Sequence, residues 1–290
     1  KSLIEKMGNK NSPYVLGLLK DGMSESQILE KKRRVASLMN ANLKPLGKRL
    51  NLAIELLSET SRDAYASTLK RNGRSIEEIA EICDGLTDAH ASSLLGLPSG
   101  GLAYWVACIR ECFEEAGVLL ARHETTGDVV RFDAPEVIER FNTERHNIHD
   151  GSIALLDLCA QEGLRLTTDD IHYVSHWITP MGEKRRFDTR FFIARAPAAQ
   201  EPLHDDGETI ESFWIKPEEA IRRSHEKDLM LMPPTKANIE FLLPHKTTDE
   251  VMAAASKVGT PQTILPKIKI DSDGRVTGIA MPGDSDYDAL

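Results

Sequence analysis

The sequence predicts an α+β sandwich, a sheet packed between helices, and three observations predict it. Apolar residues recur at helical spacing in several capped segments. Two β-rich runs, residues 172–179 and 186–195, flank the turn residues Pro180-Met181-Gly182-Glu183 and read as a hairpin. Helices and strands then follow one another along 290 residues, 41% of them hydrophobic, which suffices for a packed core.

Taken in order, the elements begin with helices. Ser12-Pro13 reads as an N-cap with Pro at the first helical position, ending at Asp21-Gly22. Ser24 with Gln27 forms a capping box for a helix carrying Lys31-Lys32-Arg33-Arg34, and further helices are expected over 46–57 and 62–69. No period-two alternation stands out before residue 75. Residues 76–95 stay helical with a break at Asp84-Gly85, and the Gly/Pro-rich stretch 96–101 separates them from a strong helix over 102–116, stopped by Gly117. Val118-Leu119-Leu120 reads as a buried strand, and 135–162 as helix with a break at Asp150-Gly151. After the hairpin come a strand over 209–215, a helix opening with Glu218 and Glu219, and helices over 235–243 and from the Thr247/Glu250 capping box to 257. A last hairpin turns at Asp273-Gly274.

Composition narrows the class. The formal net charge is −9, yet residues 1–75 hold an excess of Lys and Arg, so the remainder is strongly acidic. The expected division is a basic helical segment over 1–75 and a second domain over 76–290. The acidic bulk argues against a nucleic-acid binder, and exposed helix faces account for the basic part. No window approaches the about 20 apolar residues of a membrane span, so no membrane partner is expected. Cys83, Cys108, Cys112 and Cys159 form no CxxC pair and are too sparse for a disulfide framework or a structural zinc site, which suits a reducing compartment. The final Asp288-Ala289-Leu290 is not a Ser-Lys-Leu-type address, and a cytoplasmic location is expected. The missing initiator Met fits a processed chain or one cut from a longer frame.

The stretch with the most chemistry is Arg110-Glu111-Cys112-Phe113-Glu114-Glu115-Ala116-Gly117-Val118. At 100° per residue, Leu102, Val106, Ile109 and Phe113 make one apolar stripe, while Glu111, Glu114 and Glu115 cluster on another side at i, i+3 and i+4. Like charges so placed repel, and they sit at the end of the helix dipole that disfavours them. A cation should compensate. A hard divalent ion, Mg²⁺ or Mn²⁺, suits such oxygen donors, and Arg110 can orient Glu114 across one turn.

This Arg-Glu-apolar-x-Glu-Glu-x-Gly-apolar pattern resembles the helical half of the box that defines the Nudix hydrolases. Cys83-Asp84-Gly85-Leu86 and residues 100–107, 173–180 and 186–192, with Trp214, Pro233-Pro234-Thr235 and Pro282-Gly283-Asp284, resemble one branch of that family. It is the branch of the peroxisomal coenzyme A diphosphatase, nudix motif 19, and its bacterial relatives. The resemblance covers residues 78–290. It implies a Nudix-type α/β/α sandwich and metal-dependent hydrolysis of a nucleoside-diphosphate-linked small molecule, coenzyme A or an acyl-coenzyme A. It implies that Glu114 and Glu115 are metal ligands, Glu111 a ligand or the base acting on water, and Arg110 their support. It also implies a further carboxylate before a later strand, with Glu208 the first choice and Glu211 the second.

The half of the box that precedes this helix in relatives, a Phe-Pro-Gly-Gly loop with its strands, has no counterpart, Asn72-Gly73-Arg74-Ser75 being the nearest Gly element. A sandwich short of its N-terminal strands and carrying a basic helical front is therefore expected. The alternative function is a catalytically weak Nudix-derived binding module fused to a helical interaction segment. Among Lys184, Arg185, Arg186 and Arg190, the last two are the candidates for holding a substrate phosphate, since Arg offers it a bidentate fork. His172 and His176 lack a third ligand of diagnostic spacing and read as half-buried structural histidines. Trp105 and Trp177 read as core, and Cys112 as an apolar filler.

Overall fold

The computed structural model describes residues 54–60, 75–182, 186–200 and 215–289. Strand β1, Ile54–Thr60, is followed by helices α1, Ile76–Ile82, α2, Asp88–Leu95, and α3, Leu102–Ala116. Next come β2, Ala121–His123, α4, Pro135–His149, α5, Leu155–Glu162, β3, Leu164–Leu166, β4, Ile171–Ile178, and β5, Asp188–Arg195. Helices α6, Pro217–His225, α7, Pro233–Leu242, and α8, Thr248–Ala255, lead to β6, Thr263–Ile264, and to the hairpin of β7, Lys267–Ile270, with β8, Val276–Ala280. Among the described residues no helix is long and apolar enough to cross a membrane.

The largest sheet has the order β1-β5-β4-β6, antiparallel except for the parallel β4–β6 pair. Strand alternation sends Phe192 and Ala194 of β5 to one face and Phe191 and Ile193 to the other. On the first face they join Ile171 and Tyr173 of β4 in packing against α3, whose Trp105 meets Phe192 edge-on at 4.9 Å and donates its indole N–H to the carbonyl of Ile171 at 2.9 Å. On the second face lie Leu242 of α7 and Val251, Met252 and Ala255 of α8. Helices on both sides of a sheet make the α/β/α sandwich.

A bulge in β4 explains one placement that plain alternation misses. Tyr173 pairs with Phe192 and Ser175 with Phe191, so Val174 is an extra residue. The extra residue reverses the phase, and Trp177 joins Val174 on the α7–α8 face instead of following Tyr173.

Two expectations are corrected here. The helix expected over 46–57 gives way to β1, which pairs with β5 from Ile54 opposite Arg195 to Thr60 opposite Arg190. The front is therefore not strandless, and α3 lies against this strand. Residues 118–120 are buried but are not a strand; pairing starts at Ala121. The Leu119 backbone is satisfied instead by buried Gln200, whose side chain accepts from Leu119 N at 2.8 Å and donates to the carbonyls of Leu119 and Val130 at 3.0 and 2.9 Å. The expected helices near 12–21, 24–39 and 62–69 and the strand over 209–215 up to residue 214 lie outside the described residues.

Candidate active site

Helix α3 is fixed at both ends by groups from elsewhere. At its start, Gly100 takes φ 83° and the carboxylate of Asp88 on α2 accepts from Gly100 N at 2.9 Å and from Leu102 N at 3.0 Å. The Ser92 hydroxyl accepts from Gly101 N at 2.9 Å, and α2 and α3 approach so closely there that a Cβ on Gly101 would lie 2.2 Å from Ser92 N. At its end, Gly117 turns the chain out with φ 70°. The last carbonyls are taken by buried Arg145 of α4, which donates from Nε to Glu114 O and from Nη2 to Glu115 O, both at 2.8 Å.

The cation that the clustered carboxylates require is thus partly built in. Arg145 answers the helix dipole, and Arg110 answers the side chains. Arg110 Nη1 donates to both oxygens of Glu114, at 2.6 and 2.7 Å, while Nη2 pairs with Glu111. The carboxylate face is enclosed, with the Arg110 and Glu114 side chains 9% and 7% exposed and Glu111 at 19%. Burial works against charge on Arg110, but the carboxylates of Glu111 and then Glu114 outweigh it and hold the guanidinium above its ordinary value. Glu115 is half-buried, one turn from Glu111.

The sheet brings a second group toward the same helix. Arg190 of β5, buried, stacks its guanidinium 4.8 Å from the ring centre of Tyr104, seven residues before Glu111 on α3. Its Nη1 donates to Asp188 Oδ1 at 3.1 Å, and the same oxygen lies 2.5 Å from His176 Nε2, whose Nδ1 is 2.8 Å from the Thr263 hydroxyl. Arg186 is exposed and donates from Nε to the Thr179 carbonyl at 3.0 Å, closing the hairpin. Arg190 therefore sits against α3, whereas Arg186 is engaged at the turn. Glu208 and Glu211 lie outside the described residues, as do Lys184 and Arg185.

With this geometry in place, comparison with known proteins is decisive. The family model of the NUDT19 Nudix domain matches residues 60–242. The chain belongs to the Nudix family. The match lies in its NUDT19 branch: human acyl-coenzyme A diphosphatase NUDT19 is 30% identical over 216 residues, 69% of this chain and 55% of that protein. The chicken protein of the same name is 29% identical over 153 residues, 48% and 40% of the two chains. This chain thus spans about half the length of the curated relatives it matches. A crystal structure of a Nudix hydrolase from Alicyclobacillus acidocaldarius aligns with 62% of this chain and 75% of that one, at 23% identity and a TM-score of 0.48.

Nudix hydrolases generally use divalent metal ions, and the residues on the Nudix helix can be tested for fit. Among the described residues no three His, Cys, Asp or Glu side chains are grouped as a ready-made cage. A cage is not what a small hard cation needs, because Mg²⁺ is commonly held by one or two carboxylates with phosphate oxygens and water. Glu111 and Glu115 supply such oxygens one turn apart, and Glu114 keeps lone pairs beyond those that Arg110 engages. The donor chemistry fits.

Sequence reasoning missed three parts of this arrangement. Arg145 and Asp88 act on backbone groups, so no side-chain pattern announces them. The His176–Asp188–Arg190 chain is readable only once β4 and β5 are in register, His176 opposite Arg190.

Proposed function

We propose that this chain is a metal-dependent Nudix diphosphatase acting on a nucleoside-diphosphate-linked small molecule, with coenzyme A or an acyl-coenzyme A as the substrate. The observation that carries the reading is the enclosed Arg110–Glu111–Glu114 cluster with Glu115 beside it on a capped helix, in a family whose NUDT19 relatives are named acyl-coenzyme A diphosphatases. A bound Mg²⁺ or Mn²⁺ supplies charge neutralisation of the diphosphate and a more acidic water. Glu115 and Glu114 would hold it, with Glu208 as a further ligand, and Glu111 would join them or take the proton from the attacking water. Arg110 pairs with Glu111 and Glu114 and fixes the orientation of their carboxylates. Arg190, stacked on Tyr104, and Arg186 would contact the substrate phosphates. Water attack at phosphorus breaks one P–O bond of the anhydride and releases two phosphate monoesters.

Strand β1 against α3 favours catalysis over a binding module, because the helix is walled by sheet on that side. Four buried free thiols suit a cytoplasmic setting, which we adopt for this chain. The test is hydrolysis of coenzyme A, ADP-ribose and NADH with Mg²⁺ and with Mn²⁺. The reading expects metal-dependent turnover, fastest with coenzyme A. Failure to cleave any of the three with either ion would overturn it.

A further inference from the structure

A cleft between β2, the loop over residues 128–133, α4 and the end of β5 has no role in the chemistry above. Its volume is about 730 Å³, ordinary for a small-molecule site. The floor is apolar, formed by buried Leu120, Val130, Phe141, Ile171 and Ala194. Four arginines from separate elements line it, Arg122, Arg131, Arg140 and Arg195.

Three of these arginines are braced by carboxylates that do not line the cleft, and Arg195 also lies 4.0 Å from Asp170, which does. Arg122 pairs with Asp169 at 3.3 Å, Arg140 with Glu162 at 3.1 Å and Arg195 with Asp249 at 2.6 Å. Arg131 is held by Asp133 at 2.7 Å, and Asp133, Asp128 and Asp170 do line the cleft. Each guanidinium has five donors, and these pairs occupy only some of them. The Nε of Arg122 is buried and makes no hydrogen bond among the described residues, an Asp84 carboxylate oxygen lying 3.9 Å away. The pairs are partly exposed, a setting in which such contacts are worth about 0–1 kcal/mol, so a phosphate can recruit their remaining donors at small cost.

We propose that this cleft binds an organic phosphate bearing an apolar group, the phosphate among the arginines and the apolar group against Val130, Phe141 and Ile171. None of Glu111, Glu114 and Glu115 lines it, which sets it apart from the carboxylates of the Nudix helix. The inference does not rest on the diphosphatase reading.

The full chain would be titrated with 1-naphthyl phosphate by calorimetry, beside inorganic phosphate and 1-naphthol. Saturable binding of the naphthyl phosphate is expected, with both fragments weaker by about tenfold or more, since phosphate and ring contacts contribute together. Arg140→Ala with Arg195→Ala, both partly exposed positions, should weaken it by about tenfold with the melting temperature kept. Val129→Asp, at an exposed lining position, gives a second route to the same loss by repelling the phosphate. Unchanged affinity in both variants would overturn the proposal. So would loss of binding in Glu111→Gln with Glu115→Gln and not in the arginine variants, which would place the probe on the Nudix helix.

Discussion

Arg145 shows how much of the site depends on a single buried cation. It closes the last carbonyls of α3 with two hydrogen bonds of 2.8 Å from a different helix, and a charged donor to a buried acceptor is among the stronger bonds in a protein. Arg145→Met should therefore lower stability by about 2–4 kcal/mol, read as a shift of the urea midpoint. A shift within error would show that these carbonyls find water instead. The cysteines make a second residue-scale prediction. All four thiols are buried, and burial pushes Cys83 and Cys159 up to about 12. The thiolate is the reactive form, so a thiol reagent at pH 8 should label neither until the chain unfolds. Stoichiometric labelling of the native protein at either position would contradict this packing. At this scale the sequence disclosed side-chain partners one helical turn apart, Arg110 with Glu114, because their spacing is local. It could not disclose Arg145, whose acceptors are backbone atoms on another helix.

At the scale of elements, the corner between α2 and α3 is a close contact of backbone with backbone. Gly101→Ala would put a Cβ 2.2 Å from Ser92 N, and the neighbour is main chain that cannot rotate away. The expected cost is about 1–3 kcal/mol, visible in the melting temperature, together with slower turnover as the Nudix helix shifts. Equal stability and turnover would mean the corner opens freely. Strand β4 gives the pH prediction. Burial holds His172 below its ordinary value of 6.5, with Asp170 opposing in part. The unfolded chain then binds more protons than the folded one below that value, so stability is fully present above pH 6.5 and is lost as pH falls through it. His172→Phe should flatten that part of the stability profile; an unchanged slope would assign it to another group. Helix α3 was legible in the sequence to the residue because its Gly-Gly start, unbroken apolar spacing and Gly117 stop agree. Strand β1 was not. Its Ile-Glu-Leu-Leu-Ser-Glu-Thr is rich in helix formers, and only pairing with β5 makes it a strand. The bulge at Val174 was equally hidden, since it exists only in relation to the partner strand.

For the whole molecule, the sheet does two things at once. One face carries the Nudix helix and the other the α7–α8 layer, so the carboxylates stand on a helix whose position is set by a buried core and not by a loop. Alternation along β5 sends Phe192 into that core and, two residues earlier, Arg190 to the same face, where it reaches Tyr104. The fold thus delivers a cationic group and an acidic group to one helix, the arrangement that the proposed function calls on for an anionic phosphate and a metal ion. The measurement that tests this most directly is the metal-dependent turnover of coenzyme A by Glu115→Gln against the parent, with the melting temperature of each recorded. The account predicts a loss of at least about a hundredfold at a melting temperature that stays high, because the half-buried carboxylate serves the metal and not the core. Turnover equal to the parent's would contradict it.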